Sequence, residues 1–200
     1  FLTHAHFGHV DGLGLFGRET MNARGISLYC SEKMVDLIER TPNWSILLSQ
    51  GVFQPNTVKL VNLPGVSVEA IRVPHRAELS DMHAYLIKAN KTLLFLPDHD
   101  SWHETLGDHN LRSWLNYLEV DIALIDGTFY TSDELKHRSQ EEVPHPPVEQ
   151  TLEMLGKKRE GDGRVVFIHL NHTNRLCRDD SPVTTMGWEV GNEGDIYNLT

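Results

Sequence analysis

Histidines cluster at the beginning of the chain, which reads Phe1-Leu-Thr-His4-Ala-His6-Phe-Gly8-His9-Val-Asp-Gly12. The H-x-H spacing places His4 and His6 on one face of an extended segment, so both rings can reach one ion. Neutral imidazole is a suitable ligand for zinc or iron. A solvated histidine-rich loop is the alternative, but the apolar strand end before the histidines and Gly12 behind them favour a metal site.

Predicted strands and helices follow one another in mixed order, and they must position these side chains. The predicted strands are residues 26–30, 57–63, 66–73, 83–89, 92–96, 121–125 and 164–170. The predicted helices are residues 12–23, a helix capped by Ser31, residues 102–119 with a break near Gly107, and residues 148–158. This order predicts an α/β protein, of the α+β kind, with two sheets flanked by helices.

Acidic residues follow two of the predicted strands. Asp98 and Asp100 come directly after residues 92–96, and an Asp-x-Asp pair presents two carboxylates on one side of an extended chain. One of them can bind a metal while the other caps the helix that begins near Trp102. Asp126 follows residues 121–125 and either orients an imidazole by accepting its second N–H or caps a turn with Gly127.

Histidines lie near the end of the chain's last predicted strand and in a proline-rich loop. His169 and Asn171 share one face if residues 164–170 continue as an extended chain, and His172 lies on the other face. Only one of the two histidines is then needed as a metal ligand. His145 stands between prolines and is either substrate-facing or an ordinary loop residue.

Composition limits the classes of partner. The 200 residues are 40% hydrophobic and predict one domain over residues 1–200. The net charge is -10 with scattered basic residues, which disfavours nucleic acid, and no run of about 18 apolar residues suggests a membrane span. Cys30 and Cys177 form no C-x-x-C pair, so we expect a reducing, cytoplasmic location, with a single disulfide as the alternative. We expect a small-molecule substrate and allow for a homodimer.

The first motif resembles the H-x-H-x-D-H signature of the metallo-β-lactamase superfamily, with Gly8 where that family carries Asp. The resemblance implies an αββα four-layer sandwich with the site along one edge. In the family, strands precede this motif, whereas here it starts at His4. We therefore expect the chain to be N-terminally truncated and to lack the first strands of the fold.

The resemblance also implies roles for individual residues. His4, His6 and His75 correspond to the ligands of a first metal, and such a set leaves a position for water or substrate. Asp98 corresponds to the carboxylate that bridges two metals and is preferred over Asp100. His9 and His172 correspond to ligands of the second metal, and His169 would then point elsewhere. Asp98 and His172 are the catalytic candidates, whereas Asp126, His145 and His169 are candidates for supporting or substrate-facing roles.

Longer motifs narrow the resemblance to the branch of coenzyme PQQ synthesis protein B. The motifs are Leu124-Ile-Asp126-Gly-Thr-Phe-Tyr, Pro144-His145-Pro, Phe167-Ile-His169-Leu-Asn-His172-Thr-Asn174 and Gly187-Trp-Glu-Val. That branch lacks the full histidine set of the first motif and has Asn at the position of His172. Retention of these histidines favours a related metallohydrolase over the PQQ enzyme itself.

Three function classes follow. The preferred one is a zinc-dependent hydrolase with one or two ions, in which a metal-bound hydroxide attacks an ester, an amide or a phosphodiester. The second is an iron-dependent oxidative enzyme of PQQ-type cofactor biosynthesis, which histidine-rich ligation also permits. The third is a metal-binding protein without turnover. No organic cofactor is expected.

Overall fold

A computed structural model describes residues 1–135 and 142–200 of the chain. The strands are β1 (Ile26–Cys30), β2 (Phe53–Thr57), β3 (Leu60–Leu63), β4 (Val66–Val73), β5 (Met82–Lys88), β6 (Thr92–Leu96), β7 (Ile122–Asp126), β8 (Arg164–Ile168) and β9 (Glu189–Val190). The α-helices are α1 (Phe7–Val10), α2 (Glu32–Arg40), α3 (Pro42–Ser49), α4 (Trp102–Leu106), α5 (Leu111–Tyr117), α6 (Val148–Leu155) and α7 (Ser181–Thr184). Short 3-10 helices cover Asp11–Phe16 and Arg175–Cys177.

Seven strands form one mixed sheet in the order β3-β4-β5-β6-β7-β8-β9. The pairs from β3 to β6 are antiparallel, and those from β6 to β9 are parallel. Pro64-Gly65 joins β3 to β4, and Gly65 has a φ of 78°, which a residue without Cβ adopts without strain. β1 and β2 form a separate two-stranded parallel sheet.

Alternation of side chains along the strands gives the large sheet two apolar faces. Leu94 of β6 and Ile125 of β7 pack in the cluster that also contains Trp102, Trp114 and Leu152 of the helices. The neighbouring residues on the same strands face the opposite way and form a second cluster, made of Leu93, Ile122, Leu124 and Val166. Burial on both faces explains why the parallel strands are almost continuously apolar.

The two-stranded sheet forms the next layer. Residues of β1 and β2 pack with α2 and α3 around Met34, Ile38 and Leu47, whereas Tyr29 of β1 packs against the apolar group that includes Tyr85 of the large sheet. Helices therefore cover the outer side of each sheet. This arrangement confirms the predicted α/β class with two sheets flanked by helices.

One edge of the large sheet collects the candidate site residues. β4, β6, β7 and β8 all run in the same direction, so their carboxyl ends meet at that edge. His75 follows β4 and Asp98 follows β6, while Asp126 ends β7 and His169 follows β8. Ligand sites in sheets of this kind lie at the carboxyl ends of strands.

Several predicted elements needed correction. The helix predicted over residues 12–23 is wrong, because α1 already begins at Phe7 and continues as a 3-10 helix that ends at Phe16. The strand β2 was missed, since its Pro55 disfavours a strand assignment. In residues 1–135 and 142–200, no helix is both long and apolar enough to cross a membrane.

Candidate metal centre

Three histidine nitrogens converge at the carboxyl end of β4. His6 Nδ1 lies 2.9 Å from His4 Nε2 and 3.3 Å from His75 Nε2. Nitrogens bound at about 2.0–2.1 Å to one tetrahedral zinc ion lie about 3.3 Å apart, so these separations are those of a shared ligand set. The structure thus brings together the three histidines that the sequence assigned to a first metal.

The opposite nitrogen of each of these rings has its own partner. An oxygen atom holds each outer nitrogen, as in the carboxylate–histidine–metal arrangement that fixes the tautomer of a metal ligand. The pairs are His4 Nδ1 with Thr3 Oγ1 at 3.1 Å, His6 Nε2 with Glu78 Oε2 at 3.2 Å, and His75 Nδ1 with Asp100 Oδ1 at 3.0 Å.

This pattern leaves the inner nitrogens of His6 and His75 without hydrogen atoms. A carboxylate can only accept, so His6 and His75 donate through their outer nitrogens, and a neutral ring then has only a lone pair on its inner nitrogen. Burial lowers the pKa of His4 to about 3 and lowers that of His75, so these rings stay neutral near pH 7. The lone pairs of His6 Nδ1 and His75 Nε2 face each other at 3.3 Å, an arrangement that a cation between them stabilises, and the hydroxyl of Thr3 lets His4 adopt the tautomer that adds a third. The donor set therefore fits a zinc or iron ion.

Asp98 supplies an oxygen next to this set. The residue is 2% exposed, and its Oδ2 lies 3.0 Å from His9 Nε2 and 3.5 Å from His4 Nε2. Among the described residues this oxygen accepts no hydrogen bond of good geometry, so it is a buried acceptor without a partner. Burial raises the pKa of Asp98, but the close histidines outweigh that effect and hold the pKa well below its usual range.

Asp126 organises the opposite side of the site. Its Oδ2 accepts a hydrogen bond of 2.7 Å from His145 Nδ1, and its Oδ1 accepts from the backbone N–H and the hydroxyl of Thr128 at 2.9 and 2.7 Å. The residue therefore plays both roles between which the sequence could not choose. His145 is buried and faces the site. Burial lowers the pKa of His145, but Asp126 outweighs that effect and the pKa is raised.

His169 completes the cluster through the hydroxyl of Thr128. Because this hydroxyl donates to Asp126, it accepts at 2.9 Å from His169 Nδ1. His169 Nδ1 also lies 3.4 Å from Asp98 Oδ1, and its ring centre is 5.1 Å from that of His9. His169 has a φ of 61°, an uncommon conformation for a residue with a Cβ that is often found at functional sites.

The prediction for His169 and His172 is therefore corrected. β8 ends at Ile168, and the left-handed backbone at His169 breaks the extended chain on which the alternation argument depended. A turn follows, in which the N–H of Asn174 donates to the carbonyl of Asn171. As a result His169 faces the cluster, whereas His172 is exposed and lies outside it.

The structure also shows where the two carboxylates after β6 lie and which residue caps α4. Asp98 lies among the candidate ligands, while Asp100 holds His75 and accepts from the backbone N–H of Arg76 rather than capping α4. The helix cap is Ser101, whose hydroxyl accepts from the N–H of Glu104. The sequence patterns did not indicate that Thr3, Glu78 and Thr128 hold histidines of the site. Only Thr128, in the Asp-Gly-Thr turn after a strand, had a recognisable signal.

A cleft of about 450 Å³ opens over these side chains. It is lined by His6, Phe7, Gly8, His9, Arg76, Glu78, Leu79, Asp98, His145 and His169. Gly8 takes the position of the family's Asp, and a Cβ added there would meet no atom within 4 Å. A larger side chain at Gly8 would therefore find open space beside the cluster.

Comparison with protein families gives a match over residues 1–170 to the model described as "Beta-lactamase superfamily domain". The chain belongs to the metallo-β-lactamase superfamily. The match covers the three-histidine set, Asp98, Asp126, His145 and His169. The predicted family is thus confirmed, as is its fold.

Named relatives show which branch of the superfamily this chain is similar to. Coenzyme PQQ synthesis protein B of Azotobacter vinelandii is 35% identical over 89 residues, which cover 40% of this chain and 30% of that protein. The protein of the same name from Methylococcus capsulatus is 24% identical over 226 aligned positions, which cover 96% of this chain and 70% of that protein. The predicted similarity to this branch is confirmed.

Solved structures show the same fold at low sequence identity. The metallo-β-lactamase fold protein YhfI from Bacillus subtilis superposes with a TM-score of 0.65 and 14% identity, covering 98% of this chain and 75% of that one. A diphosphatase of the PhnP family gives a TM-score of 0.61 with 16% identity, covering 96% and 68% of the two chains.

Proposed function

We propose that this protein is a zinc-dependent hydrolase that cleaves an ester, an amide or a phosphodiester of a small molecule. The observation that carries the proposal is the convergence of one nitrogen from each of three buried or half-buried histidines, two of which donate outward to carboxylates and so present lone pairs inward. This arrangement is stable with a cation at its centre and costs free energy without one. Zinc in such a set lowers the pKa of a coordinated water to about 7 and supplies hydroxide near neutral pH.

The chain's own residues provide the rest of the chemistry. Asp98 presents its unpartnered carboxylate oxygen between His4 and His9, where it can accept a proton from the attacking water or share a second ion. His145 has its Nδ1 fixed by Asp126, so its Nε2 is the nitrogen that can exchange a proton with a substrate. Its raised pKa, which burial opposes and Asp126 supports, favours a proton donor for the leaving group.

A direct test combines metal analysis with hydrolysis. The protein is purified without a metal-affinity tag, its metals are identified by mass spectrometry, and the zinc-loaded form is assayed with p-nitrophenyl acetate, bis(p-nitrophenyl) phosphate and p-nitroacetanilide. We expect turnover of at least one probe, loss of it after chelation, and loss of both metal and turnover in His75→Ala. Full zinc content without turnover would contradict the proposal and favour the non-catalytic alternative. Bound iron with oxygen consumption would instead favour the oxidative one.

The role of His145 has a sharper test. A proton donor matters most when the leaving group is a poor one, so His145→Gln should lower kcat for an alkyl ester about 10²–10⁴-fold. The same variant should change kcat for a p-nitrophenyl ester much less, because p-nitrophenolate leaves without protonation. Equal losses for both esters would contradict the assignment.

The substrate, a homodimeric state and a cytoplasmic location stay predictions from the sequence. The roles of individual residues as metal ligands are part of the proposal.

A further inference from the structure

Arg76 lies in the cleft directly beside the three-histidine set. It follows His75 in the loop after β4, and its side chain is 30% exposed. The backbone N–H of Arg76 donates to Asp100 Oδ1 at 3.3 Å, and Asp100 is the residue that holds His75. The position of Arg76 is therefore tied to that of a candidate metal ligand.

The guanidinium of Arg76 has few partners. Within residues 1–135 and 142–200 its nitrogens make no hydrogen bond, and Nε is buried without a partner. The nearest carboxylate oxygen recorded is Glu78 Oε1, 3.9 Å from Nη1, on a side chain that is 56% exposed. An exposed pair at this distance is weak, so most of the five donors of Arg76 remain available.

The charge distribution of the cleft indicates what the donors of Arg76 can bind. Arg76 is the one lysine or arginine among the described residues that line it. A guanidinium forms paired hydrogen bonds with carboxylate or phosphate oxygens. Phe7 and Leu79 flank the opening with exposed fractions of 71% and 50%, and they offer an apolar surface next to the cation.

We propose that Arg76 is a specificity residue that binds an anionic group of the substrate, a carboxylate or a phosphate, beside the bond that is cleaved. This inference rests on the proposed hydrolase and adds the chemical class of its substrate. The apolar part of such an anion lies against Phe7 and Leu79, and its charged group faces Arg76.

Binding measurements test this assignment. Zinc-loaded wild type, Arg76→Met and Arg76→Lys are titrated by calorimetry with benzoate, with phenyl phosphate and with neutral 4-phenylimidazole. We expect Arg76→Met to raise the Kd of at least one anion tenfold or more, to change that of 4-phenylimidazole less than twofold, and to retain its zinc. Arg76→Lys should fall between, because the charge remains and the paired geometry is lost. The anion that loses more affinity identifies the group as carboxylate or phosphate.

Arg72→Met is the matched control, since Arg72 is exposed on β4 outside the cleft. It should bind all probes as the wild type does. Unchanged anion binding in Arg76→Met, or an equal loss for the anions and the neutral probe, overturns the assignment.

The titrations need no turnover, so the two proposals fail separately. A wild type that hydrolyses nothing but binds anions through Arg76 contradicts the hydrolase and retains the anion site. Hydrolysis of anionic and neutral esters that Arg76→Met leaves unchanged contradicts only the role of Arg76.

Discussion

His169 and His172 are three residues apart, yet only His169 faces the cleft. The difference comes from one backbone conformation, the φ of 61° at His169, which turns the chain after β8. A hydroxyl then holds the ring, since Thr128 Oγ1 lies 2.9 Å from His169 Nδ1. At the residue scale, the ligand set therefore depends on local backbone geometry as much as on side-chain type.

Replacement of these two histidines by alanine should have different effects on zinc binding. His169→Ala should lower the affinity for a second equivalent of zinc, because it removes a nitrogen next to Asp98 and His9. His172→Ala should leave zinc binding unchanged, since its side chain is exposed and lies outside the cluster. Zinc titration with a chelating dye measures both. Loss of zinc in His172→Ala alone would instead support the ligand role that the family resemblance implies for His172.

Gly8 offers a test of the number of metals. A Cβ added at this position meets no atom within 4 Å, so Gly8→Asp places a carboxylate beside the cluster without a clash. If the missing Asp weakens the second site, Gly8→Asp should raise the zinc stoichiometry towards two and bind the second equivalent more tightly than the wild type does. Gly8→Ala is the control for helix stability. Unchanged stoichiometry would mean that other residues set the metal count.

At the scale of elements, the site depends on strands that end together, whereas the capped helix α2 lies away from it. α2 begins after Ser31, whose hydroxyl accepts from the N–H of Met34 at 3.1 Å, and its buried Met34 and Ile38 pack against β1 and β2. This helix covers the outer side of the small sheet and does not contribute to the cleft. A change that destabilises α2 should therefore leave metal binding at the site unchanged.

Ser31→Ala tests whether the stability of α2 affects metal binding. The variant removes the cap and a hydrogen bond to Asp81, and we expect a loss of about 1 kcal/mol in the free energy of unfolding. Zinc content should stay as in the wild type. Ser31→Thr, which keeps a capping hydroxyl, should lose less. Urea unfolding and metal analysis of both variants check the result, and a fall in zinc content would show that α2 supports the site.

At the scale of the whole molecule, the fold shifts the pKa values of several histidines away from their ordinary value. Burial lowers the pKa of five of them: His4, His75, His83, His99 and His169. For His99, which is fully buried with no partner for either ring nitrogen among the described residues, the pKa falls to about 4. His145, whose pKa Asp126 raises against the effect of burial, acts in the opposite direction.

The metal-free protein should therefore lose stability in mild acid. A histidine whose pKa is lowered by folding contributes stability above its ordinary value of 6.5, and this contribution is lost as the pH falls below that value, because the unfolded chain binds more protons. His145 offsets part of the loss. We expect the free energy of unfolding of chelator-treated protein to fall by more than about 1 kcal/mol from pH 7.5 to 5.

Urea titrations at the two pH values measure this change. His83→Asn should reduce the pH dependence because it removes a half-buried ring whose pKa is lowered, whereas His103→Asn, at an exposed position on α4, should not. A flat profile for the wild type would contradict the linkage argument.

The family, the α/β class and the candidate residues His4, His6, His75 and Asp98 were predictable from the amino-acid sequence, because they follow from the spacing within one short motif and from a resemblance carried by motifs at strand ends. The sequence also located the strands that carry His75, Asp98 and Asp126 to within a few residues. Local hydrophobic alternation was sufficient for that.

The partners of these side chains became evident from the three-dimensional arrangement alone. Glu78 and Asp100 reach His6 and His75 from positions 72 and 25 residues away in the chain, and Asp126 meets His145 across 19 residues. Such contacts arise because parallel strands bring their carboxyl ends to one edge, which no local pattern specifies residue by residue. The choice of His169 over His172 depended on a single left-handed residue that an argument from strand alternation could not anticipate.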